Sequence, residues 1–244
     1  MILLGSGGWI PTSRRETCCA YLREGDSVLL IDAGTGVSRL VEDPGLLGGA
    51  QSLDIVLTHF HLDHVTGLSF VPALPLKPTI WGPGMRLAGK STASILARLF
   101  GSPLFGASLE ELAAQVREIP DTGFEAGPFS IASRVQRLHT DPTLGLRIGE
   151  MTYCTDTAAD PETAEFAAGS RVLLHEAWYA ASATEDQTHT AAGEAGLLAR
   201  QAGAQELVLI HVSPFQLSDE ELGAPARSEF AATRVGEDLQ IVTK

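Results

Sequence analysis

Thr58-His59-Phe60-His61-Leu62-Asp63-His64-Val65-Thr66-Gly67 is the stretch on which the reading of this chain turns. Four of the six residues from His59 to His64 are types that bind metals. Alternate residues of an extended segment point the same way, which aligns His59, His61 and Asp63. A turn can then carry His64 round to a second centre. Imidazole and carboxylate ligands suit zinc, and also iron or manganese. A single histidine at a strand end is as readily explained by a hydrogen bond to a loop. Four ligand-type residues in six are not.

The surroundings repeat the pattern. His59 follows the apolar run Asp54–Leu57, and His139, His175 and His211 each follow another apolar strand-like segment, as does Asp156 after Met151–Thr155. Strand ends on one rim of a sheet face a common crevice, so residues far apart in sequence can converge there. Period-two and short apolar runs predict strands at Ile2–Leu4, Thr17–Leu22, Ser27–Ile31, Ile55–Thr58, Pro78–Trp81, Phe129–Leu138, Leu144–Ile148, Thr152–Cys154, Val172–Leu174, Leu207–Ile210 and Leu239–Val242. Helical spacing covers Leu87–Phe100 and Leu109–Val116. Three more helices are predicted: one opened by Asp160-Pro161 and closed by Gly169, Ala191–Ala202 with Thr190 as cap and Gly203 beyond, and one near Ser218–Phe230. No GxGxxG opens a regular βαβ rhythm, which removes a dinucleotide fold.

The quoted stretch resembles the T-H-x-H-x-D-H-x-x-G signature of the metallo-β-lactamase superfamily, and the resemblance runs along almost the whole chain in order. Asp32-Ala33-Gly34 matches the strand turn before the signature. His139, Asp156 and His211 match the three later ligand positions. The resemblance implies that His59, His61 and His139 hold one metal ion, that Asp63, His64 and His211 hold another, and that Asp156 bridges them. The implied cofactor is two divalent metal ions, Zn2+ first, with Mn2+ or Fe as alternatives. Such ions lower the pKa of bound water to about 7 and so supply a nucleophile at neutral pH. The implied fold is α/β, a four-layer αβ/βα sandwich, in one domain over residues 1–244 whose two halves meet near residue 116.

Three further segments resemble the ribonuclease Z-like phosphodiesterase branch: Leu174-His175-Glu176-Ala177-Trp178, Thr188-His189-Thr190-Ala191-Ala192 with Leu207–Ser213, and Gly5-Ser6-Gly7-Gly8 with Pro11–Thr17. Glu176 beside His189 would hold an imidazolium able to protonate a leaving alkoxide. The catalytic candidates are therefore Asp63, Glu176 and His189, with His175 read as a core residue. Departures from the branch bear on substrate. Only 16 residues separate His139 from Asp156, with no room for the long Gly-rich arm of tRNA 3′-processing enzymes. Val212-Ser213-Pro214-Phe215-Gln216 lacks an expected arginine, and Asp32–Gly36 differs from the turn of those enzymes. Phe100 and Phe105 are candidate pocket walls, and Arg14, Arg15 and Arg147 candidate phosphate contacts.

Charge sharpens the choice. The chain has 17 Lys+Arg against 30 Asp+Glu, net −13, and residues 101–244 carry the whole excess. An acidic surface repels polyanions, so gripping RNA or DNA starts at a disadvantage, while a local dication pair still draws in a small anion. Three cysteines without CxxC spacing, no basic leader and no long apolar run give the expectation of a cytoplasmic, membrane-free protein without disulfides; a homodimer stays open. The leading expectation is hydrolysis of a small phosphodiester, a cyclic nucleotide or a nucleic-acid 3′ end. The alternatives are carboxyl hydrolysis of a lactone, thioester or lactam, tRNA 3′ processing, and a non-catalytic metal-binding sensor.

Overall fold

A computed structural model of the chain describes residues 1–181, 188–215 and 218–243. Gln216, whose segment bore on the missing arginine, lies outside them. Strands β1 (Ile2–Gly5), β2 (Cys19–Glu24), β3 (Ser27–Ile31), β4 (Ser52–Val56), β5 (Thr79–Gly82) and β6 (Gln115–Glu118) form one sheet in chain order. Strands β7 (Phe124–Ala126), β8 (Phe129–Gln136), β9 (Thr143–Ile148), β10 (Met151–Cys154), β11 (Val172–Glu176), β12 (Glu206–Ile210) and β13 (Thr233–Val235) form a second, also in chain order. Each sheet starts antiparallel and turns parallel, at β3–β4 in the first and at β10–β11 in the second.

Alternation along the parallel strands creates four layers. In β3, Val28 and Leu30 face a core shared with Val37, Leu40 and Leu68 on the outer side. Leu29 and Ile31 face a central core with Leu146, Leu174 and Val208 from the other sheet. In β12, Val208 and Ile210 point to that centre, while Leu207 and Leu209 meet Ala192, Ala195 and Ala199 of the outer helix Ala192–Ala202. Strands buried on both faces read as continuous apolar runs. Each such Leu or Ile removed from water contributes about 1.5–3 kcal/mol. The alanine stripe lets its helix sit close to the sheet, and Gly196 admits the helix Asp219–Glu229, since a Cβ there would meet Ala226 O at 2.6 Å.

Several local expectations are corrected. Leu87–Phe100 is not one helix: a π-helical turn, Gly84–Ala88, ends at Gly89 with φ +62°, and Ser91 caps a separate helix, Thr92–Leu96. Leu109–Val116 is helical only over Leu109–Leu112, because Gln115–Glu118 pairs with β5 as the sheet's parallel edge strand. Sheet pairing there outweighs helical spacing. Thr190 is not the cap: its hydroxyl donates to Thr157 O, and Ala191 takes the cap position with its N–H on Glu194. At Leu239–Val242 a single bridge, Ile2 to Ile241, replaces a strand. Strands β7 and β13 have no counterpart in the sequence reading. No helix among the described residues is long and apolar enough to cross a membrane.

Candidate metal centre

The rim formed by the C-terminal ends of β3, β4, β8, β10, β11 and β12 carries the site. Asp32 and His211 follow directly on β3 and β12, and Asp156 follows β10 by two residues. All three take left-handed backbone conformations, with φ +59°, +50° and +49°. Non-glycine residues held there cost about 1–3 kcal/mol each and persist where their surroundings fix them.

Asp156 lies at the middle. Its Oδ1 is 3.8 Å from His59 Nε2 and 3.5 Å from His139 Nε2; its Oδ2 is 3.0 Å from His64 Nε2 and 3.3 Å from His211 Nε2. Asp63 Oδ2 lies 3.3 Å from His211 Nε2 and 3.5 Å from His64 Nε2. His61 turns Nδ1 to within 3.3 Å of His139 Nε2. Two groups of ligand atoms result, His59, His61, His139 and Asp156 in one and Asp63, His64 and His211 in the other, each within 4.8 Å. The structure thus brings together all seven residues singled out as ligands.

The donor set fits divalent cations. Nε2 of His59 and of His64 is buried and makes no hydrogen bond, so lone pairs point into the cluster without a proton partner. The opposite ring nitrogens are occupied. His64 Nδ1 donates to Asp32 Oδ2 at 2.9 Å, and His139 Nδ1 donates to Thr188 O at 2.8 Å. Thr58 Oγ1 lies 2.9 Å from both Asp32 oxygens and 3.0 Å from His59 Nδ1. An ionised carboxylate only accepts, so the hydroxyl donates to Asp32 and accepts from His59. Each of these bonds fixes the tautomer that leaves Nε2 free as a ligand.

Electrostatics agree. Burial, with the charge of His64, holds His59 well below the usual histidine range, and burial lowers His139 too, so both favour the neutral, ligating form. Burial alone would raise Asp156, yet the charges of His211, His64 and His59 hold it well below the carboxylate range; His64 and His211 do the same for buried Asp63. Burial opposes charge on His64, but Asp156, Asp63 and Asp32 around it raise its pKa.

Beside the cluster, Glu176 at the end of β11 is fully buried. Its Oε1 accepts from Thr157 N, and its Oε2 lies 2.8 Å from His189 Nδ1. A ring nitrogen of His189 lies within 4.8 Å of ligand atoms of Asp156 and His211, and Trp178 stacks on the ring at 4.6 Å and 15°. Burial lowers the pKa of His189 and raises that of Glu176. Charged His189 is thereby a stronger acid, with less of the charged form present at neutral pH. His175 is buried on the same strand, with Nδ1 on Glu176 O, away from the cluster.

The other sequence candidates lie elsewhere. Arg14 and Arg15 each pair with Asp219 at 2.7 Å. Arg147 donates to the carbonyls of Phe166 and Ala168. Phe100 is buried in the outer core of the first sheet, edge-on to Phe105 at 5.4 Å. Three groups were given no role by the sequence reading: Asp32 and Thr58, which it quoted only within matched motifs, and Trp9, whose backbone N–H donates to Asp63 Oδ2 at 2.6 Å. Asp32 had a signal, since it follows the strand Ser27–Ile31 as the histidines follow theirs. Gly8 explains how Trp9 reaches Asp63: a Cβ on residue 8 would meet the His211 ring at 2.5 Å.

A sequence model of the β-lactamase superfamily domain matches residues 28–212. The ribonuclease Z of Lachnoclostridium phytofermentans is 28% identical over 295 aligned positions, covering 99% of this chain and 96% of that protein. The crystal structure of the metallo-β-lactamase fold protein YhfI from Bacillus subtilis superposes with a TM-score of 0.76 at 22% identity, covering 98% of this chain and 96% of that one. That of a diphosphatase from the PhnP family superposes with a TM-score of 0.76 at 18% identity, covering 100% and 97%. At these identities the structural likenesses speak for the fold.

Proposed function

The chain belongs to the β-lactamase superfamily, in its metal-dependent, ribonuclease Z-like branch, and on that premise we propose that the rim cluster is a dinuclear centre hydrolysing a small phosphodiester. The observation that carries the reading is the division of Asp156, whose two oxygens face two different pairs of histidines. A carboxylate so placed suits a bridge between two cations. His59, His61 and His139 would hold one, Asp63, His64 and His211 the other, and zinc is the first candidate, ahead of manganese or iron.

When bound, a divalent pair supplies Lewis-acid stabilisation of developing negative charge and an acidified water. The chain's own groups supply the rest. Asp32 and Thr58 hold His64 and His59 in their ligating tautomers. Trp9 N–H holds Asp63 Oδ2, leaving its other oxygen to orient a nucleophile. Glu176 accepts from His189 Nδ1, which leaves Nε2 to donate a proton to the departing oxygen. That last step distinguishes substrates, because an alkoxide leaving a phosphodiester is a poor leaving group without an acid. The ribonuclease Z relative supports phosphorus over carbonyl chemistry.

The test is a substrate panel. The zinc- or manganese-loaded protein should hydrolyse bis-(p-nitrophenyl) phosphate and cyclic nucleotides with higher kcat/KM than lactones, thioesters or lactams. Faster turnover of any of the carbonyl substrates would overturn the phosphodiester assignment while leaving the metal centre in place.

A further inference from the structure

A cavity of about 230 Å³ opens beside the metal centre and takes His59 and His61 as one wall. Leu87 and Ile95 give it an apolar side, and Lys90 and Arg98 are its two cations. The single carboxylate in its lining is Asp141, whose Oδ2 is 3.2 Å from His61 Nε2. That contact turns His61 Nδ1 toward His139 and engages the one negative charge of the cavity.

The described cations of this chain divide between those that meet a carboxylate and those, such as Arg23, Arg137 and Arg147, that do not. Arg14, Arg15, Arg39, Arg86 and Arg134 all meet carboxylates, as a net charge of −13 leads one to expect. Lys90 and Arg98 make no ion pair or side-chain hydrogen bond with any described residue. Their wall is nonetheless fixed. Glu118 accepts from Met85 N at 3.0 Å and from Thr92 N at 2.5 Å, and Thr92 Oγ1 accepts from Gly84 N at 3.1 Å. These bonds tie the turn Gly84–Ala88 to the helix Thr92–Leu96, and Lys90 and Arg98 flank that helix. Unpaired cations held beside the wall formed by His59 and His61 attract an anion by charge and by charge-assisted hydrogen bonds.

We propose that Lys90 and Arg98 form an anion subsite for a second negative group on the substrate, on the arm of the diester that lies over His59 and His61. The inference rests on the phosphodiester reading and narrows it to diesters with an additional phosphate, such as a 5′-phosphorylated dinucleotide. Charge arithmetic explains the need: in an acidic protein, two free cations beside the dication site favour the multiply charged substrate over a plain diester.

The experiment compares 5′-phosphorylated and unphosphorylated dithymidylate on the metal-loaded wild type and on Lys90→Gln/Arg98→Gln. Turnover is measured on the natural diesters and equilibrium binding on their methylphosphonate analogues. The wild type should favour the 5′-phosphate about five- to tenfold in both readouts, the scale of two solvent-exposed charge contacts. The preference should shrink as salt rises past the point where the Debye length falls to a few ångströms. The double variant should lose the preference yet keep its rate on bis-(p-nitrophenyl) phosphate, which a merely structural defect would lower. Equal binding and turnover of the two ligands by the wild type, binding of neither, or a preference that survives in the variant, overturns the subsite. A binding preference that the variant loses, with neither diester hydrolysed, supports the subsite and overturns the phosphodiesterase reading instead.

Discussion

Asp32 Oδ2 and His64 Nδ1 lie 2.9 Å apart, both side chains fully buried, and through this contact a residue that touches no candidate cation governs the geometry of the centre. The same carboxylate accepts from Thr58 N at 2.7 Å and from the Thr58 hydroxyl, which accepts from His59 in turn. One carboxylate thus orients a histidine in each half of the cluster. Asp32→Asn should keep the fold and lower metal affinity about 10–100-fold, the usual cost of losing such a partner. Competition with a chelating dye measures it. Unchanged affinity would mean that packing alone holds the rings.

Asp156 should behave differently from the residues around it. Because its two oxygens face different histidine pairs, Asp156→Ala should lower metal content toward zero at both positions. His61→Ala, which touches only one group, should leave close to one ion per chain. Elemental analysis after gel filtration separates the two, and equal losses in both variants would argue against a bridge.

His189→Ala should retain its metals and lose about 10²–10⁴-fold in turnover on diesters with alkyl leaving groups. The loss should be smaller for bis-(p-nitrophenyl) phosphate, whose nitrophenolate departs without a proton. A uniform loss across leaving groups, or release of metal, would make the Glu176–His189 contact structural.

The convergence of the seven rim residues was legible from the resemblance to the metallo-β-lactamase signature together with a local mark, a short apolar run and then an imidazole or carboxylate, at His59, His139, Asp156 and His211; His175 carries the same mark yet lies away from the cluster. Asp32 carried the same local mark, but its partner His64 is set by the fold. Arg14 and Arg15 looked like free cations because Asp219, their partner, lies more than 200 positions along the chain. The helix expected over Leu87–Phe100 failed at Gly89, where a left-handed turn lets the chain reverse and the wall bearing Lys90 form. Side-chain spacing cannot report a backbone reversal that Glu118, from another strand, holds in place.

His175 predicts an acid sensitivity outside the centre. Burial, the largest cause, pushes its pKa down to about 4. In the unfolded chain it titrates near 6.5, the ordinary histidine value, so over that interval the unfolded state binds the extra proton. The stability it contributes is present above 6.5 and lost as pH falls through about 4, on the order of 3 kcal/mol in all. Urea unfolding of chelator-treated protein at stepped pH measures this, and His175→Gln should flatten the slope by about one proton. Parallel curves for the two proteins would show that His175 is not the group responsible.

RNA is where family and surface pull apart. The resemblance to the ribonuclease Z-like branch implies a tRNA 3′-processing alternative, for which a long Gly-rich arm would supply the grip. Here β9 and β10 pair directly, Ile148 opposite Met151, so the interval between His139 and Asp156 holds a two-residue turn where an arm would stand. The arginines that looked available are engaged, Arg14 and Arg15 by Asp219 and Arg147 by backbone carbonyls. Each phosphate contact on duplex contributes about 0.9 to the slope of log affinity against log salt, and a tRNA grip needs several. The protein should therefore bind precursor tRNA weakly, with a slope below about 3, while hydrolysing small diesters. A salt-titrated filter-binding assay beside a cleavage assay on the same RNA decides the matter. Tight, steeply salt-dependent binding with accurate 3′ cleavage would show that the acidic surface does not govern substrate choice and that some other face of the protein grips the RNA.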